Sequence, residues 1–110
     1  MYVQKPGGSG YYRVDSYNPR TSEIVSRKHT QLSDIQESTA LSYINEIPKK
    51  YSPGTVIADV PSSGTLANQR LQGQMILEVP VQTNPVPSSV TNAAREAGIL
   101  IRDINGTIYR

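Results

Sequence analysis

The stretch at residues 11–32, YYRVDSYNPRTSEIVSRKHTQL, decides how the rest of the chain is read. Asn18-Pro19-Arg20-Thr21 is a turn signal, because proline presets the dihedral at the second turn position and asparagine is favoured at the first. Residues rich in Tyr, Val, Ile and Ser flank it on both sides. The pattern predicts a β-hairpin with strands at 11–17 and 22–30. A four-residue turn puts Asp15 opposite Ile24 and Tyr11 opposite Lys28. Side chains alternate along a strand, and opposed residues share a face. One face then carries Tyr11, Arg13, Asp15, Tyr17, Ser26 and Lys28. The other carries Tyr12, Val14, Glu23, Val25, Arg27 and His29. A hairpin with ionisable groups on both faces does more than cover a core. Its partners depend on register, since a slip of one residue exchanges the faces.

The 110 residues are enough for one domain with a modest core. Phe and Trp are absent, so Ile, Val, Leu and Ala must build that core, with tyrosines at its margins. The absence of cysteine excludes disulfides, zinc-thiolate sites and a cysteine nucleophile. No apolar run reaches the ~20 residues of a membrane span, and there is no signal-peptide core. Arg13, Arg20, Arg27 and Lys28 face only Asp15 and Glu23 within 11–32, which accounts for the whole formal excess of +2. A local positive patch suits a phosphate backbone and makes Arg13, Arg20 and Tyr17 candidate substrate-binding residues. An ordinary solvated sheet face explains the same charges.

Residues 1–10, MYVQKPGGSG, read as a linker by composition, leaving 11–110 as a single domain. After the hairpin, Ser33 followed by Gln36 fits a capping box and starts a helix at 34–47, with Pro48 ending it. Ile35, Ala40, Leu41, Ile44 and Ile47 form its buried stripe. TVIADV at 55–60 reads as a buried strand, and 61–74 as a surface loop without a phosphate-cradling glycine motif. MILEV at 75–79 is a second strand, with Glu78 on an exposed face or at a site. Val90, Ala93, Ala94 and Ala97 mark a helix at 89–97, with Gly98 as its C-terminal cap. Strands at 99–103 and 107–109 flank a type I′ turn at Asn105-Gly106. The fold class is α+β or mixed α/β: a small central sheet, an N-terminal hairpin and two flanking helices.

Three chemistries compete. A Ser/His/Asp triad has only His29 to use and no nucleophile-elbow glycines. A metal-independent ribonuclease needs an acid, a base and a cation, which Glu23, Arg27 and His29 supply from one hairpin face. A metal-dependent phosphodiesterase needs carboxylates for a divalent ion and a lysine for the attacking water, and Asp15 with Lys28 is the best such pair.

Asp15-Ser16-Tyr17-Asn18-Pro19, followed by a return strand ending Ser26-Arg27-Lys28, resembles the D…(D/E)xK hairpin of restriction-endonuclease-like nucleases. The form it looks most like is found in C-terminal toxin domains of bacterial polymorphic toxins, including LXG-type secreted toxins. There an aspartate precedes a Y-x-P turn, and the next strand ends in ExK. The resemblance covers 11–31, with only element order agreeing downstream. It implies a nuclease, with DNA the favoured substrate, delivered into target bacteria as the C-terminal part of a larger toxin. It implies a divalent ion such as Mg²⁺ on Asp15 and a second carboxylate, with Lys28 assisting water. Ser26 stands where the family has Asp or Glu. Glu23, Glu46 or Glu78 supplies the missing ligand, Glu23 being the nearest in sequence, or the metal mechanism is lost. A nuclease toxin also implies an acidic immunity protein covering Arg13, Arg27 or Lys28. Against all of these stands a non-enzymatic binding module whose hairpin charges are merely solvated.

Overall fold

In a computed structural model, which describes residues 1–5 and 10–110, the chain runs β1 (Tyr2–Gln4), β2 (Tyr11–Arg13), β3 (Ser16–Asn18), β4 (Glu23–Arg27), α1 (Glu37–Tyr51), a 3₁₀ segment (Pro61–Leu66), β5 (Gln74–Val79), α2 (Ser88–Glu96), β6 (Ile99–Asp103) and β7 (Ile108–Tyr109). The architecture is α+β. A five-stranded sheet has the order β3-β4-β5-β6-β7, with β4, β5 and β6 parallel and the two edge strands antiparallel. α1 and α2 are the crossovers of the parallel strands, and they pack on β5, on β6 and on each other. None of the helices is long and apolar enough to cross a membrane among the described residues.

β5 shows why the sheet forms. Met75, Leu77 and Val79 join Ile24, Ile99 and Ile101 in the main core, together with Ala40, Ile44 and Ile47 of α1 and Val90 and Ala94 of α2. Ile76, at the alternate parity, is equally buried but lies on the opposite face. A strand apolar on both sides belongs at the middle of a sheet. The predicted strand at 99–103 and helix at 89–97 correspond to β6 and α2, and Gly98 takes the left-handed φ of 74° expected after a helix.

Five expectations need correction. The long hairpin is split. β3 and β4 pair around the four-residue connection 19–22, with Asn18 opposite Glu23, two residues away from the expected register. A two-residue shift preserves parity, so within the part that still pairs Ser16 keeps its face with Val25 and Tyr17 its face with Ile24. Residues 11–13 instead pair with β1, in the register Val3 opposite Tyr12. The chain changes sheets at Val14, whose N–H donates to Met1 O at 2.8 Å.

Second, residues 2–4 are not linker: they form β1, and Val3 is fully buried in the core. Residues 6–9, the rest of the Pro/Gly run, lie outside the described residues. Third, TVIADV is not a strand of the main sheet. Residues 55–58 form a short extended segment wedged between β1 and 68–71, with Gln4 N–H donating to Val56 O at 2.9 Å and Ile57 N–H to Gln69 O at 2.7 Å. Its apolar residues Ile57 and Ala58 are buried there.

Fourth, α1 starts later and runs through Pro48, with no side chain capping its start. Proline removes a helical N–H at a cost of about 3 kcal/mol. Burial of Ile47 and Tyr51, one turn apart on the core stripe, offsets that cost. Fifth, the Asn105-Gly106 turn is not type I′, since only Gly106 of the two has a positive φ, 89°. Gly106 N–H donates to Asp103 O and Asp103 N–H to Thr107 O, the pattern of a turn followed by a glycine bulge. Buried Asp103 fixes it. Its carboxylate accepts the Tyr109 hydroxyl and the N–H groups of Thr107 and Asn105, which holds its pKa below the ordinary value.

Candidate active site

The edge of the sheet beside β3 is where the chain's chemistry collects. Pairing of β3 with β4 stops at Ser16, and the Asp15 carboxylate takes over the next backbone position. Its Oδ2 accepts the Arg27 N–H at 2.7 Å. Asp15 is thereby anchored against β4 while remaining exposed. The last turn of α1 lies alongside. Tyr51 is almost fully buried, and its hydroxyl pKa is raised by that burial and then by the carboxylates of Glu46 and Asp15. Asp15 and Glu46, from elements far apart in sequence, thus lie on the same side of the sheet as Tyr51.

Lysines complete the cluster. Lys50 Nζ is 3.3 Å from Glu46 Oε1, one helical turn on. Lys28, directly after β4, places its Nζ 5.0 Å from the centroid of the Tyr43 ring. Tyr43, Glu46 and Lys50 share a stripe of α1 by their spacing. Lys28 and Glu46 thus approach neighbouring positions on one helix face. Ser26, at the same parity as Lys28, is buried. A carboxylate there would be buried too, at a heavy desolvation cost.

The opposite face of the sheet holds a separate ionic network. Arg27 Nε donates to Glu78 at 3.0 Å and its Nη1 to Ser16 Oγ at 2.7 Å. Arg102 donates to Glu23 at 2.7 Å. By register Glu23 stands opposite Gln74 and Arg102 opposite Glu78, so this bond crosses β5 diagonally above Ile76 and helps bury it. A groove of about 380 Å³ lies along this network, lined by Ser16, Asn18, Pro19, Arg27 and Arg102 among others. Its ion pairs balance, so this face carries less net attraction for phosphate than the sequence suggests.

These positions sort the predicted residues. Asp15 and Lys28 both lie along the α1 side of β4. Glu23 is not with them: it is held by Arg102, four residues along β4 from Arg27, which is roughly 13 Å of strand. The same separation keeps Glu23, Arg27 and His29 from forming one acid–base group, because His29 lies exposed beyond the strand's end. Arg13 and Arg20 are exposed. Tyr17 is half-buried against the core, and its hydroxyl accepts the Gln72 N–H at 3.3 Å. Glu46, one of three candidates for the missing carboxylate, is the one on the helix face that Lys28 approaches. Lys50 and Tyr51 were hidden from sequence reading because Pro48 seemed to end the helix. Their signal was the i, i+4 spacing of Glu46 and Lys50. Arg102 had no local signal at all.

A divalent ion has two carboxylates here. No group of three or more His, Asp or Glu side chains converges among the described residues. Two oxygen donors suit Mg²⁺, which keeps several waters and is commonly held by one or two carboxylates plus substrate phosphate. They do not make a closed cage of the kind that holds structural Ca²⁺ or Zn²⁺.

Comparison of the chain with protein-family models, curated proteins and solved structures gave no match.

The Glu23–Arg102 pair makes a prediction of its own. The Arg102 hydrogen bond lowers the Glu23 pKa below its ordinary value. A depressed carboxyl stabilises the fold above its unfolded pKa, about 4.3, and that stabilisation is lost as pH falls through the lower folded value. The stability gap between parent and Glu23→Gln is therefore expected to be widest near neutral pH and to close in acid. Urea melts across that range measure it. A gap that widens in acid has the wrong sign for this pair.

Proposed function

We propose that this chain is a metal-dependent nuclease domain of a bacterial toxin, cleaving nucleic-acid phosphodiester bonds with DNA favoured. The observation that supports the reading is that Asp15, anchored on the Arg27 N–H, and Lys28 flank the end of β4, with Glu46 one helical turn from the Tyr43 ring that Lys28 approaches. This is the disposition that the D…(D/E)xK resemblance implies, with the acid moved from strand position 26 to the facing helix. A restriction-endonuclease-like ancestry is part of the proposal. Its support is the hairpin motif and the helix following the lysine.

Asp15 and Glu46 would hold the ion, which when bound would supply Lewis-acid polarisation of a phosphate oxygen and acidify the attacking water. The Arg27 N–H fixes the Asp15 carboxylate through Oδ2 and leaves Oδ1 for the ion. Lys28 brings a mobile ammonium, held near the Tyr43 ring, to orient water or steady charge developing on the phosphate. Lys50 neutralises Glu46 until an ion competes for it.

A toxin of this kind acts in a target bacterium, delivered as part of a larger secreted chain. The producing cell then needs an immunity protein, acidic and covering Arg13, Arg27 or Lys28. The direct test incubates the purified chain with plasmid DNA and with tRNA, each in Mg²⁺ and in EDTA. Plasmid cleavage in Mg²⁺ and none in EDTA is expected. Cleavage of tRNA in EDTA replaces the reading with a metal-independent ribonuclease. Inertness in all four arms leaves a non-enzymatic binding module.

A further inference from the structure

Next to the Asp15–Glu46 pair is a pocket of about 230 Å³ whose lining includes Lys5, Lys49, Lys50, Ser52 and Thr55. Three ammonium groups meet there from two elements, the end of β1 and the last turn of α1. A helix C-terminus favours cations, which accounts for Lys49 and Lys50 but not for Lys5. Tyr12 holds two of the three: Lys5 Nζ is 5.0 Å and Lys50 Nζ 5.1 Å from its ring centroid. Only Lys50 has a carboxylate partner. Among the described residues no carboxylate lies within ion-pair distance of Lys5 or Lys49. The hydroxyls bond to each other: Thr55 Oγ1 donates to Ser52 O at 2.7 Å and accepts from the Ser52 hydroxyl at 3.4 Å, so the lysines are the groups in the pocket with protons to give. Lys50 joins the pocket to Glu46, so a polyanion crossing the carboxylate pair runs straight into it.

We propose that this pocket is a phosphate subsite that holds a backbone phosphate of the nucleic-acid strand beside the one being cleaved. The inference rests on the nuclease reading above and adds where the strand lies: from the Asp15–Glu46 edge along the end of α1 toward β1. Lys5 and Lys49 supply the charge and the hydrogen-bond donors.

The test is binding, not cleavage. Affinity of the full chain for a labelled DNA duplex is measured by anisotropy in EDTA across a salt titration. Lys5→Gln/Lys49→Gln is compared with Arg95→Gln/Arg110→Gln, which removes the same charge from the α2 side of the molecule. Each phosphate contact contributes about 0.9 to the slope of log K against log salt for duplex DNA. The lysine variant is expected to lose about 0.9 or more from that slope, the arginine variant appreciably less. Lys49→Gln alone, on an exposed helix position, gives a partial loss and guards against misfolding of the double variant. An unaltered slope, an equal fall in both double variants, or no measurable binding by the parent chain overturns the subsite. Because EDTA removes cleavage from the readout, the two proposals fail separately. A chain that binds through these lysines but cuts nothing loses the nuclease reading alone. One that cuts in Mg²⁺ with an unchanged slope in the lysine variant loses the subsite alone.

Discussion

Asp15→Asn and Lys28→Ala are each expected to slow Mg²⁺-dependent plasmid cleavage by ~100-fold or more, the usual result of losing a group that acts on developing charge or holds the ion. Neither change threatens the fold. The asparagine amide oxygen still accepts the Arg27 N–H, so the edge of β4 stays satisfied. Lys28 gives up only its contact with the Tyr43 ring, about 1–2 kcal/mol at a half-buried site. Glu46→Gln belongs with them, since it is the second carboxylate at Tyr51. His29→Ala and Glu23→Gln serve as contrasts, one exposed beyond β4 and the other on the far face of the sheet. Single-turnover cleavage rates, with thermal melts as the folding control, decide the matter. If His29→Ala abolishes activity and EDTA does not, the metal reading is wrong and the ribonuclease alternative takes its place.

Gly73→Ala is expected to cost about 4 kcal/mol, a large share of the 5–15 kcal/mol that a domain of this kind holds in reserve. Gly73 enters β5 at a φ of +105°, a region side chains rarely adopt. A Cβ there would collide with the backbone of Ser22, chiefly its carbonyl oxygen. Ser22 cannot step aside cheaply. Its own φ is 55°, and its carbonyl accepts the Gln74 N–H at 2.7 Å, which ties the start of β4 to β5. Relief of the clash breaks the first rung between the two central strands. At roughly 4–8 °C per kcal/mol, the melting temperature falls by about 15–30 °C. A variant melting within a few degrees of the parent would show that the turn at 19–22 is free to shift.

The same pair of residues illustrates how far sequence reading reaches. A glycine before MILEV is ordinary strand punctuation. That it touches Ser22, fifty-one positions earlier, follows only from the parallel pairing of β4 with β5. Likewise Asn18-Pro19 announced a turn, and Asn18 Oδ1 does accept the Arg20 N–H at 3.0 Å. The strand leading into it was nonetheless shared between two sheets, because β1 competes for residues 11–13. The Lys5-Pro6-Gly7-Gly8-Ser9-Gly10 run makes 1–10 read as a linker, whereas the burial of Val3 depends on 55–58 arriving from the other side.

What the sequence determined by itself is the set of locally periodic elements. β5 and β6 are built on the apolar runs MIL and ILI, and α2 has its alanine stripe and terminal glycine; each pattern holds without reference to distant residues. Parity between β3 and β4 also held, because a two-residue change of register preserves it, whereas Val14 joined the core with Ile24. Tertiary structure decided the rest. It carried α1 through Pro48, because burying Ile47 and Tyr51 outweighs one lost hydrogen bond. It set Glu23 against Arg102, seventy-nine positions away, and brought Glu46 to Asp15. Those pairings depend on which elements lie side by side, and adjacency of that kind is fixed by packing of the whole core, not by any one stretch of the chain.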